Sequence, residues 1–139
     1  MSTLSSVLSS PRLLPWTLRA DAASGIAMGL PLVAFAEPLA ALLGLPAPLL
    51  LACGLALFPF AGLMLLAARS ARPPAALVCL VIAGNGAWVL GSAWLCYALP
   101  LTALGQVFVI GQALAVLLLA ELEYTGWRRL SAARQWPDE

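Results

Sequence analysis

The chain is built from long apolar runs separated by short polar stops. Four runs, at about residues 20–36, 48–68, 75–95 and 103–124, carry almost no charge. An α-helix rises ~1.5 Å per residue, so about 20 apolar residues match a hydrocarbon core of ~30 Å. The pattern predicts an all-α fold, a four-transmembrane-helix bundle. A shorter apolar piece, PLAALLG at residues 38–44, follows Glu37. It is expected to form a short broken or interfacial helix after the first span, because proline suits the start of a new helix. Pro31 and Pro59 lie inside the first and second spans, and each predicts a kink.

Charge placement sets the expected topology. The basic residues are all arginine: Arg12 and Arg19 before the first span, Arg69 and Arg72 between the second and third, and Arg128, Arg129 and Arg134 after the fourth. Four crossings put all of them on one side, and the positive-inside rule makes that side the cytoplasm, with both termini inside. Residues 1–19 lack an apolar core ahead of a small-residue cleavage site, so the first span is expected to direct its own insertion. The absence of lysine and the excess of Ala, Leu, Gly and Pro suggest a GC-rich bacterial genome, hence a multi-pass protein of the bacterial inner membrane.

Composition narrows the function classes. Apolar residues make up 63% of the chain and charged residues 9%, against about 25% charged in a soluble domain. The chain therefore reads as one integral membrane domain over residues 1–139. There is no histidine, and Cys53, Cys79 and Cys96 have no zinc-site spacing. Neither a nucleophile motif nor a phosphate-binding glycine loop is present, so no enzyme activity, cofactor or metal is expected. The arginines are too few for nucleic acid. The expected partners are the lipid bilayer and either a second copy of the chain or a larger membrane complex.

Polar groups within the spans are the candidates for chemistry, since such groups are costly in lipid. Asn85 and Gln112 fall near the middle of the third and fourth spans, where they are expected to face each other and fix helix register. Glu37 ends the first span and is the carboxylate expected to join them in a polar intramembrane site. Arg19, Asp21, Arg69, Glu121 and Glu123 are expected to form interfacial ion pairs. Small residues at four-residue spacing, Gly25 and Gly29 in the first span and Ala83, Ala87 and Gly91 in the third, predict helix-packing faces.

Three stretches carry a resemblance: residues 37–46 (EPLAALLGLP), 85–89 (NGAWV), and Gln112 through 121–124 (ELEY). In these the chain resembles small, uncharacterised bacterial four-span integral membrane proteins, and its layout is similar to the DoxX-like families. The resemblance implies a fold and no activity. The expected function is that of an accessory or scaffolding subunit. The alternative is a small transporter or channel with a membrane-embedded glutamate.

Overall fold

The computed structural model describes residues 10–135 of the chain, with side chains to residue 133. Among the described residues there are five helices and no strand: α1 (Leu13–Ala34), α2 (Ala36–Leu43), α3 (Ala47–Arg69), α4 (Ala75–Ala98) and α5 (Ala103–Gln135). Helices α3, α4 and α5 are each long and apolar enough to cross a membrane. The pair α1–α2, bent by 96° at its break, makes a fourth candidate if it counts as one span.

The break falls at Phe35, not at Pro31. Pro31 lies inside α1, and Phe35 still donates its N–H to the Pro31 carbonyl at 2.9 Å. Pro38 explains the break. In a continuous helix its ring would strike the carbonyl of Ala34 and supply no N–H to it. As the third residue of α2 it has no such duty. Helix α3 likewise runs through Pro59 without interruption.

Two helices are longer than their apolar runs. Helix α1 starts at Leu13 because Pro15 sits in its first turn, where no backbone donor is needed. Helix α5 continues past Tyr124 because Trp127 and Leu130 pack onto the same cluster that buries Leu14 and Leu18. Gly126 allows this contact: a Cβ there would sit 3.0–3.2 Å from Leu14. Leu13 and Leu14 are thus buried in the protein, whereas Trp16 stays exposed. Arg128 lies over the Tyr124 ring, 5.8 Å from its centre.

The core divides into two clusters, one at each end of the bundle. One gathers the start of α1, the end of α3, the start of α4 and the end of α5, through Leu14, Leu18, Met64, Val78 and Val81. The arginine-bearing segments all adjoin this end. The other cluster joins the opposite helix ends through Leu32, Leu43, Leu50, Leu101 and Val109. There α2 is tied to α5 by Thr102. Its hydroxyl donates to the Leu42 carbonyl (2.8 Å) and caps the Gly105 N–H (2.9 Å), and its own N–H donates to the Leu43 carbonyl (3.2 Å). Gly44 closes α2 in the left-handed region, φ 72°, where a side chain is disfavoured.

Helix α1 packs most extensively on α3, and α4 on α5, while α3 and α4 touch sparsely. Gly29 carries the first of these contacts. A Cβ on it would lie 3.1 Å from the Gly54 carbonyl of α3, the close backbone approach that small residues allow. Gly25 faces Leu57 on the same side. The other expected packing face lies elsewhere: Ala83, Ala87 and Gly91 point out of the bundle, and a Cβ at Gly91 meets nothing within 4 Å. Helix α4 is apolar all round, so hydrophobicity cannot orient it. Its polar residues Asn85 and Ser92 do, and both are buried.

Candidate functional site: a cavity beside two buried carboxylates

A cavity of about 300 Å³ lies among α1, α3, α4 and α5. It is partly open, and its walls are largely apolar. Met28 comes from α1, Phe60 and Met64 from α3, Trp88 from α4, and Val116 and Leu119 from α5. Phe60 leans on Gly84 so closely that a Cβ there would overlap its ring. An aromatic wedge against a glycine therefore shapes the α3–α4 side of the cavity.

Polar groups enter the wall at two places. At the first, Asp21 of α1 and Asn85 of α4 line the cavity, and Glu123 of α5 stands behind them, 0% exposed. The Asn85 amide nitrogen donates to Asp21 Oδ2 at 2.7 Å and to Glu123 Oε2 at 3.2 Å. The two carboxyl groups thus share one amide donor. Glu123 Oε1 is buried and receives no hydrogen bond from any described residue. Among the described residues both hydrogen bonds to these carboxyl groups come from Asn85.

At the second place, one to two turns further along α4, the side chains are neutral. Trp88 donates its indole N–H to Gln112 Oε1 at 2.5 Å, Gln112 Nε2 donates to Ser92 Oγ at 3.1 Å, and the Ser92 hydroxyl donates to the Trp88 carbonyl at 2.8 Å. Every side chain here has a partner.

The structure redistributes the residues singled out from the sequence. Asn85 and Gln112 line the same cavity, yet each bonds to other partners. Asp21 and Glu123, expected in surface ion pairs, converge inside the bundle, whereas Arg19, Arg69 and Glu121 are exposed. Glu37 is exposed in the first turn of α2 and does not line the cavity. Among the described residues no group of three or more His, Cys, Asp or Glu is placed to hold a metal ion.

A helix period would have found the acids. Residues 14, 18, 21, 25, 28 and 32 form one stripe of α1, at the 3- and 4-residue spacing of a buried face, and Asp21 is on it. Residues 78, 81, 85, 88 and 92 do the same for α4, and 109, 112, 116, 119, 123 and 126 for α5.

Comparison with protein-family models, with curated proteins and with solved structures gives no match. The DoxX-like layout expected from the sequence therefore has no support beyond apolar helices. The shared geometry of Asp21, Asn85 and Glu123 carries the functional argument.

Proposed function

We propose that this chain is a small integral membrane transporter that takes an amphiphilic organic cation into the cavity beside Asp21. The reading counts the bent α1–α2 pair as one crossing, which gives four crossings with both termini cytoplasmic, in a bacterial inner membrane. The observation that carries it is Asp21 at the wall of an apolar cavity, with Glu123 buried behind it and no cationic side chain among the described residues hydrogen-bonded to either acid. Placing a charge in such surroundings is costly unless it is paired. A cation with an apolar body supplies the missing partner and fills the walls. The aromatic faces of Phe60 and Trp88 add attraction for a quaternary ammonium head. About 300 Å³ is at the small end of ligand pockets, which favours a one-ring cation over a lipid.

The test is binding of benzyltrimethylammonium to the full chain in lipid nanodiscs, followed by its uptake into liposomes. Asp21→Asn is expected to weaken binding at least ~10-fold, the order of a lost desolvated charge contact. Equal affinity in both proteins overturns the reading.

A second reading keeps the accessory role, and one observation favours it. The outward stripe Ala83, Ala87 and Gly91 on α4 is smooth enough for another helix to approach. In that case Ala87→Leu abolishes self-association, measured by crosslinking in membranes, while the melting temperature stays the same. An unchanged oligomer size leaves the stripe facing lipid.

A further inference from the structure

We propose that the cavity opens sideways into the bilayer between α3 and α4, with the Phe60 ring as its door. The site then takes the head and ring of a single-chain amphiphilic ammonium whose alkyl tail stays in the lipid. This rests on the cation-binding reading above and adds the route of entry and the shape of the ligand.

Packing singles out the seam. Of the four seams around the cavity, α1–α3, α3–α4, α4–α5 and α5–α1, the second is the least packed. Beside the cavity, one aromatic side chain bridges it to bare backbone: Phe60 of α3 leans on Gly84 of α4. A glycine gives the ring no side chain to interlock with, so the ring can turn aside without unseating a neighbour. Phe60 is half-buried while lining the cavity. Ala56, one turn earlier on the same face of α3, lines the cavity too and is exposed. These two residues mark where the cavity meets the outside of the bundle.

The backbone beside the ring is the part of α3 best able to yield. Pro59 lies inside the helix immediately before Phe60. It has no N–H for the Leu55 carbonyl, so the turn that presents the ring lacks one rung of the helical ladder.

Depth decides what lies outside the door. From Ala75 to Gly84, α4 rises ~14 Å of the ~30 Å hydrocarbon thickness. An opening at that level faces acyl chains, not water. Its rim of Ala56, Phe60 and Gly84 offers no polar side chain, so a bare hydrated ion finds nothing there to replace its water. A cation already dissolved in the bilayer by its own alkyl chain can pass. Its head meets Asp21 and the faces of Phe60 and Trp88 inside. Its tail keeps its contacts with lipid, so the cavity of about 300 Å³ has only the head and ring to house.

The probe that tests this is benzyldimethyloctylammonium, added to the full chain in lipid nanodiscs. Stopped-flow tryptophan fluorescence gives its association and dissociation rates. A nitroxide at the tail end reports, by electron paramagnetic resonance, how often the bound tail meets oxygen dissolved in the lipid. The bound tail is expected to meet oxygen as often as in protein-free nanodiscs, within about twofold. Ala56→Leu, which adds bulk over the door from an exposed position, is expected to slow association and dissociation alike, at least ~5-fold, with Kd within about twofold of wild type. Phe60→Ala is expected to speed both rates. A tail shielded from oxygen overturns the lateral opening. Unchanged rates in Ala56→Leu overturn the α3–α4 route, as does slowing by Ala115→Leu, an exposed wall position on α5, without slowing by Ala56→Leu. Binding of benzyltrimethylammonium but not of the octyl probe also overturns the lateral opening and leaves the cation site standing. Binding of neither overturns the cation reading itself. If Phe60→Ala does not fold, the wild-type tail measurement and Ala56→Leu still decide.

Discussion

The two polar networks in the cavity wall share a helix but differ in kind. Both are centred on α4, at Asn85 and at Trp88–Ser92, and both reach across to α5. The Trp88–Ser92–Gln112 network is neutral, and each of its side chains is partnered. It connects two antiparallel neighbours at one level, and register is sufficient reason for it. The Asp21–Asn85–Glu123 network joins three helices, concentrates two acids on one amide, and leaves a buried oxygen without a donor. Structural glue does not need carboxylates. Neutral amides would hold the same helices at lower cost, so the acids point to a task other than cohesion.

The largest expected effect that separates the networks is that of Asn85→Leu. The substitution removes the donor shared by both acids while keeping a side chain of similar size. Two carboxyl groups then lie in apolar surroundings with only each other. A loss of about 3 kcal/mol in unfolding free energy is expected, the scale for a buried charge stripped of its partner. Reversible unfolding in detergent micelles measures it. Adding Asp21→Asn and Glu123→Gln to the same chain should recover most of the loss, because no charge is then left to solvate. Failure of that recovery would show that Asn85 matters for packing and not for the acids.

The same comparison shows how far the sequence could be read. The apolar runs located α3 and α4 to within a few residues, since a span's length is fixed by bilayer thickness and needs no tertiary information. The short helix after Glu37 was visible because Pro38 imposes a local rule. The ends of α1 and α5 were not, since Trp127 and Leu130 extend α5 only by burying against Leu14 and Leu18, a contact between distant parts of the chain. The site was half legible. Asn85 and Gln112 stood out as lone amides in apolar runs. Asp21 and Glu123 lay near arginines, and proximity in sequence suggested ion pairs at a surface. The helix period placed both on buried stripes, but charge near a span's end resembles an interfacial anchor whichever way it points. Glu37 drew attention for the opposite reason, standing alone before a proline, and the 96° turn of the chain carries it away from the cavity.

The smallest effect belongs to the neutral network, and it tests whether the two networks are independent. Gln112→Leu removes the acceptor of the Trp88 indole and the donor to Ser92, while the Ser92 hydroxyl keeps the Trp88 carbonyl. Leucine fills nearly the same space. Side-chain hydrogen bonds between membrane helices are worth ~0.6–2 kcal/mol, so a loss near 1 kcal/mol is expected in the same unfolding assay. Gln112 also lines the cavity, so cation affinity is expected to shift about twofold at most, the change for a neutral wall group. A loss of affinity as large as that of Asp21→Asn would mean that the indole and amide hold the cation together with Asp21. The cavity would then hold one extended polar network instead of two.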